Sequence, residues 1–241
     1  MKSLILADIH GNLAALEAVL EQEKHWDDVI FLGDVCEAGP NVNEVLSMLS
    51  SLRGIFIMGN HDRRVLNNES MADRKLMSDH NIDFLSSFQE TCVLESQGLL
   101  LRLTHGVLPR EWGGRLWPDS RPEVFSALVE KYLEPYILIG HSHVQFRKTH
   151  DGTHFINPGS VGTTYLGQPL ACYGILQNGQ FELKATDYDI EKTCRAMEQL
   201  AVRGIKDRKD VKAWKKAWRT GTLPEGVYIR DYTPLIEKGY R

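Results

Sequence analysis

"KSLILADIHGNLAALEAVLEQEKHWDDVIFLGD", residues 2–34, holds the pattern that decides the fold. A short run of Leu and Ile passes into a stretch with Leu13, Leu16, Val19 and Leu20 at helical spacing, then into a second apolar run ending in Gly33-Asp34. Asn12 stands where a helix N-cap belongs. "NVNEVLSMLSSL" (41–52) repeats the helical spacing, and "GIFIMGNHD" (54–62) repeats the apolar run. Strand, helix, strand, helix, strand predicts parallel pairing through crossover helices. In α/β sheets of this kind, sites gather beyond the carboxyl ends of the strands.

Three further runs end in the same manner: "LLLRLTHG" (99–106), "YILIGHSH" (136–143) and "HFINPGS" (154–160). Asp-Gly at 151–152 and Asn-Gly at 178–179 fall between apolar runs and predict hairpins. Residues 63–90 read as helical and polar. Residues 106–120, rich in Gly, Pro and Trp, read as an irregular loop beside the predicted rim, so Trp112 and Arg115 are expected to border a substrate pocket. The last fifty or so residues are helical and charged. Nothing divides the composition, which predicts one domain over 1–241 with 187–241 as a helical C-terminal extension packed on it. In "KDVKAWKKAW", Val211, Trp214 and Trp218 share a helix face, expected to dock on the core while the lysines stay in water.

Bulk properties narrow the function classes. The 241 residues are 42% hydrophobic and 25% charged, enough for a sizeable core. A net charge of −4 gives no reason to expect nucleic acid or an anionic membrane as partner. No segment reaches membrane-spanning length. Asp8 and His10 interrupt the first apolar run, which lacks the form of a secretion signal. The four cysteines form no Cys-x-x-Cys pair, and a reduced, cytoplasmic protein is expected.

The ends of the apolar runs carry Asp8, His10, Asp34, Asn60, His61, His105, His141 and His143. Taken singly, each has a plain structural reading: a capped turn, a turn Asp, a satisfied core histidine. Their recurrence at successive strand ends points to metal chemistry. Mixed oxygen and imidazole donors suit divalent Mn, Fe, Ni or Zn. On an extended chain, residues i and i+2 point the same way, so Asp8 with His10 and His141 with His143 are expected to converge. Eight candidates exceed the needs of one ion; two ions sharing a carboxylate would account for them.

The blocks "DIH", "GD", "GNHD", "THG" and "GHSH" resemble those of the calcineurin-like metallophosphoesterases. "HGNLAALEAVL", "GDVCEAGPNVNEVL" and "NPGSVG" are similar to the bacterial and archaeal phosphodiesterase and diadenosine tetraphosphatase-like branch. The resemblance covers about residues 1–190. It implies an α/β fold of two mixed β-sheets packed as a sandwich and flanked by helices. It implies two divalent ions, manganese foremost, one held by Asp8, His10 and His143, the other by Asn60, His105 and His141, with Asp34 bridging. A bridging hydroxide would attack phosphorus in line. His61 would serve the leaving group as proton or hydrogen-bond donor rather than as a ligand. Glu37 stands where related phosphatases place the acid that pairs with this histidine, so a Glu37–His61 hydrogen bond is expected. Ala38 replaces the arginine with which protein phosphatases of the superfamily clamp phosphate; Arg63 and Arg64 could substitute.

The expected activity is hydrolysis of a phosphodiester or nucleotide-type phosphoanhydride in a small phosphorylated substrate such as a nucleotide. A phosphomonoesterase and a non-catalytic metal-binding scaffold are the alternatives. No basic groove argues for a nuclease.

Overall fold

The computed structural model describes residues 1–106 and 114–241. In chain order the elements are β1 (Lys2–Leu6), α1 (Leu13–Gln22), β2 (Asp28–Phe31), α2 (Val42–Ser50), β3 (Gly54–Phe56), α3 (Asn60–Leu66), α4 (Met71–Arg74) and α5 (Asp79–Ser86). There follow β4 (Thr91–Ser96), β5 (Leu99–Thr104), α6 (Pro122–Lys131), β6 (Tyr136–Ile139), β7 (Gln145–His150), β8 (Thr153–Pro158), β9 (Ala171–Gln177) and β10 (Gln180–Thr186). The chain closes with α7 (Ile190–Val202), α8 (Arg208–Thr220) and α9 (Thr233–Glu237).

Two five-stranded sheets form, ordered β10-β9-β1-β2-β3 and β4-β5-β6-β8-β7. In the first, β1, β2 and β3 run parallel while β9 and β10 run antiparallel. In the second, β5, β6 and β8 run parallel, with β4 and β7 antiparallel at the edges. Both sheets are therefore mixed. The crossovers through α1 and α2 follow the predicted order, and the Asn12 side chain caps α1 by accepting from the Ala15 amide.

Strand alternation sorts side chains into layers. From β1 and β2, Leu4, Leu6, Val29 and Phe31 pack outward against α1, α2 and α5. Their neighbours Ile5, Ala7, Ile30 and Leu32 turn inward to meet Leu101, Leu103, Leu138 and Ile156 of the second sheet. Ile137, Ile139 and Phe155 face out from the second sheet under α6. Apolar residues thus stand on both faces of the central strands, as strands covered on both sides require. Both predicted hairpins are present, with Asp151-Gly152 and Asn178-Gly179 at positive φ as a two-residue primed turn demands.

Helix α8 lays Val211 and Trp218 against Cys194, Met197 and Leu200 of α7, while Trp214 is partly buried beside them. α7 in turn packs on α1. The apolar stripe of α8 is an internal face, as expected of it. Among the described residues, no helix is long and apolar enough to cross a membrane.

Candidate metal centre

Parallel strands deliver the site. Asp8 and His10 follow β1, Asp34 follows β2, and Asn60 opens α3 just after β3; His105 follows β5, and His141 and His143 follow β6. Asp8, His10, Asp34, His105, His141 and His143 are buried, whereas Asn60 is exposed.

Asp8 and His10 do converge, on one donor group with His143, though not by extended geometry; His141 and His143 part, His141 joining Asp34 and His105 instead. Asp8 (φ 53°), His10 (48°), Asp34 (63°), His141 (68°) and His143 (59°) all adopt the left-handed region. Side-chain alternation ends with the strand, and a left-handed turn then folds each pair inward. Non-glycine residues held there cost about 1–3 kcal/mol each and persist where packing over-determines them, typically at functional sites.

Three groupings of donor atoms result, each with one atom per residue within 4.8 Å of the others: Asp8, His10 and His143; His10, Asp34 and His61; Asp34, His105 and His141. Asn60 Oδ1 lies 3.1 Å from His105 Nε2. All seven residues expected as ligands are thus brought together, with Asp34 in the group of His105 and His141 and linked through His10 to that of Asp8 and His143.

Two observations make this donor set fit divalent metal. First, Asp8 Oδ1 and Asp34 Oδ2 are buried with no hydrogen-bond donor. Imidazole Nε2 atoms stand near both, His143 at 3.4 Å from Asp8 Oδ1 and His105 at 3.1 Å from Asp34 Oδ2. Buried carboxylate oxygens need compensating charge. Second, backbone carbonyls fix the tautomers. Nδ1–H donates to Cys36 O from His10 (2.8 Å), to Thr163 O from His143 (2.7 Å) and to Leu32 O from His105 (2.7 Å). That leaves each Nε2 facing the cluster, as in metal sites whose ligand histidines are oriented by a second hydrogen bond. His10 and His143 Nε2 lie only 3.2 Å apart, and His105 Nε2 lies 3.2 Å from His141 Nδ1.

Burial pushes the Asp8 carboxyl up to about 8. Burial also opposes charge on Asp34, but His105 beside it holds that carboxyl well below the usual range. The His105 imidazole, despite burial, is held up at about 9 by Asp34. Burial and the neighbouring His61 bring His10 down to about 4, and burial and His10 keep His143 well below its usual value. Metal binding at such a cluster would displace protons from His105 and Asp8.

His61 and Glu37 form the expected hydrogen bond, Nδ1 to Oε2. The His61 amide also donates to Asp34 Oδ1 at 2.8 Å, and its Nε2 faces Asp34 Oδ2 at 3.9 Å. Burial lowers the His61 pKa, but the Glu37 bond together with the charges of Asp34, Glu37 and Asp62 outweighs it and the net shift is upward. The two arginines part company. Arg64 lies 3.2 Å from Glu37 Oε2 at the edge of the cluster, whereas Arg63 pairs with Glu90. Trp112 lies outside the described residues. Arg115 is half-buried, and its charge acts on His143, Tyr165 and Tyr232.

Several residues that shape the centre have no signature in the sequence. Asp62 accepts from the amides of Asp34 (2.9 Å), Val35 (2.8 Å), Cys36 (3.1 Å) and Gly59 (2.9 Å), so one carboxylate holds the loop that carries Asp34. Asp73, from α4, accepts from the Glu37 amide at 2.6 Å and pairs with Lys206, which follows α7. Ser160 Oγ donates to Asp8 O at 2.7 Å, and Asn157 Nδ2 to Gly140 O at 2.9 Å, so the "NPGS" turn braces the loops that carry the donors. Cys36 is buried beneath the centre, and burial with Asp62 nearby pushes its thiol well above the usual range, so it is no nucleophile.

A family model for the calcineurin-like phosphoesterase superfamily domain matches residues 1–180. The uncharacterized protein MJ0912 of Methanocaldococcus jannaschii is 30% identical over 227 residues, covering 80% of this chain and 90% of its own. Phosphodiesterase YfcE of Escherichia coli is 30% identical over 197 residues, covering 74% of this chain and 88% of its own. In fold, the metallophosphoesterase from Sphaerobacter thermophilus superposes with a TM-score of 0.76 at 21% identity, over 92% of this chain and 99% of that one. With two mixed sheets, donor residues at the strand ends and these relatives, the chain belongs to the calcineurin-like phosphoesterase superfamily and is a metal-dependent phosphoesterase.

Proposed function

We propose that the chain hydrolyses phosphodiester or nucleotide-type phosphoanhydride bonds in a small substrate at a two-metal centre. One ion would be held by Asp8, His10 and His143, the other by Asn60, His105 and His141, with Asp34 shared. The observation that supports this reading is Asp34: its buried carboxylate belongs to the group with His105 and His141 and also shares a group with His10, which in turn joins Asp8 and His143. Divalent ions bound there supply charge against phosphoryl oxygens and a nucleophile derived from water at neutral pH.

The chain's own residues do the rest. The Glu37 carboxylate accepts a hydrogen bond from His61 Nδ1, which turns Nε2 toward the centre. A protonated Nε2 can donate to the leaving oxygen as the P–O bond breaks. Arg64, which pairs with Glu37 at 3.2 Å, would be the arginine to meet a second phosphoryl oxygen. Ala38, where protein phosphatases of the superfamily carry arginine, and the phosphodiesterase named among the relatives both favour a diester over a phosphoprotein.

The test is His61→Ala assayed with Mn²⁺ on bis-aryl phosphate, aryl phosphate, cyclic nucleotides and dinucleoside polyphosphates. The variant is expected to keep its metal and lose about 10²–10⁴ in turnover, less where the leaving group is an acidic phenol. Loss of metal would make His61 a ligand. Wild-type rates on poor leaving groups would remove its role as acid. A wild-type preference for aryl phosphate over every diester and anhydride would replace the reading with a phosphomonoesterase.

A further inference from the structure

Behind His143 stands an aromatic column that begins in the site and ends in the last turn of the chain. The Tyr165 ring lies on the His143 imidazole, 4.6 Å between centroids and 15° from parallel. Tyr232, 8% exposed, packs on Tyr165 at 6.0 Å. Trp117 meets Tyr232 edge to face at 5.8 Å, and the Arg230 guanidinium covers Trp117 at 4.9 Å while pairing with both oxygens of Asp119. Val144, Leu166 and Leu235 close the cluster.

The loop that carries Tyr165 is clamped from the same side. The Gly167 amide donates to Gly221 O at 2.8 Å. Gly221 ends α8 in the left-handed conformation (φ 62°), and a Cβ there would come within 2.5 Å of the Gln168 backbone. Thr163, on the same loop, accepts from His143 Nδ1 through its carbonyl. Trp214 and Trp218 of α8 line a small cavity with Thr163 and Thr164. At the chain end, the Gln145 amide donates to Arg241 O at 2.5 Å, two residues beyond His143. All these outer contacts come from residues past 180, where the family match ends.

We propose that the C-terminal extension is a working part of the metal centre: Tyr232 and Gly221 hold Tyr165 against His143, and this stack fixes the direction in which His143 presents Nε2. The inference rests on the proposed role of His143 as a ligand. An imidazole hydrogen-bonded through Nδ1 alone can still swing about that bond, and a ring stacked on its face removes the freedom. Aromatic pairs add attraction beyond burial that depends on ring geometry. Groups that orient metal ligands typically change metal affinity about 10–100-fold when removed. Tyr165 and Tyr232 are positioning residues, touching neither the reacting atoms nor an ion directly.

The experiment is calorimetric titration of Mn²⁺ into chelator-stripped full-length protein, with circular dichroism to confirm that each variant is folded. Tyr165→Leu is expected to weaken binding at the His143 site about 10-fold or more, and Tyr232→Leu to weaken it in the same direction. Tyr165→Phe, which keeps the ring, is expected to bind within about twofold of wild type. Folded Leu variants that bind as wild type does overturn the proposal. So does a Phe variant as weak as the Leu variant, since the hydroxyl and not the stack would then be acting. Wild-type protein that binds no Mn²⁺, or a His143→Ala variant that binds unchanged, overturns the proposed metal centre itself.

Discussion

Asp34 and Asp62 show how much of the centre depends on single carboxylates with different tasks. Asp34 Oδ1 is taken by the His61 amide, and Oδ2 is left for the cluster. An amide at this position carries no charge to share between two cations. Asp34→Asn is therefore expected to lower metal content at both sites, whereas His143→Ala lowers it mainly at one, as read by elemental analysis after dialysis. Asp62 does no chemistry, yet four backbone amides end on it. Each buried N–H left without an acceptor costs about 1–3 kcal/mol, so Asp62→Ala is expected to cost at least about 2 kcal/mol in urea unfolding, with weaker metal binding. The proposed ligands are legible in the sequence because Asp and His at strand ends are conspicuous. Asp62 is not, since its partners are backbone groups three and some twenty-seven residues away, and no side-chain pattern marks them. Nor is the left-handed backbone at Asp8 and His10: a two-residue spacing fits an extended strand equally well.

Among the elements, the buried strands announced themselves and the half-exposed ones did not. β1, β2 and β6 are apolar on both faces because each sheet is covered on both sides. β4 lies at a sheet edge with Val93 exposed, and its turn is Gln97-Gly98, so neither composition nor turn residues mark it. α3 begins at Asn60, inside the block read as a polar tail of β3. It can begin there because Gly59 has no side chain: a Cβ would fall 2.0 Å from Asp34 Oδ1. Gly59→Ala must displace the Asp34 carboxylate or the start of α3, and is expected to reduce metal content while leaving far-ultraviolet dichroism nearly unchanged. Glu23, ending α1, ties that helix to three strands through Lys2 of β1, Tyr173 of β9 and Lys184 of β10. Burial alone would raise its pKa, but the bonds from Lys184, Lys2 and Tyr173 bring it down to about 2 from an ordinary 4.5. A folded-state value below the unfolded one gives stability that is full above the unfolded value and is lost as pH falls through the folded value. Glu23→Gln is thus expected to cost roughly 1.5–3 kcal/mol at pH 7. The difference from wild type should shrink from about pH 5 downward and nearly vanish near pH 2. A difference that stays constant with pH would assign its effect to packing alone.

For the molecule as a whole, the centre lies across the junction of its two halves. Asp8, His10 and Asp34 come from the sheet built on β1 and β2; His105, His141 and His143 come from the sheet built on β5 and β6. Apolar packing of Ile5, Ile30 and Leu32 on Leu101 and Leu138 joins those sheets below the site. At the site itself, the interface presents buried carboxylate oxygens without donors and imidazoles at 3.2 Å from one another. On the proposed function, that rim is a weak edge of the sandwich that bound cations would satisfy. A ligand bound only by the folded state adds stability as RT ln(1 + [L]/Kd), about 2.7 kcal/mol at a hundred times Kd. For a chain of this size, about 2–4 °C of Tm follows each kcal/mol. Stripping metal with chelator is therefore expected to lower Tm by roughly 5–10 °C, and adding Mn²⁺ to restore it along a logarithmic dependence on concentration. Asp34→Asn should flatten that dependence, because the carboxylate proposed to be shared by both ions can no longer offset charge at either. A wild-type Tm indifferent to chelator and to Mn²⁺ would mean that the two sheets do not share ions, and the proposed centre would fall with it.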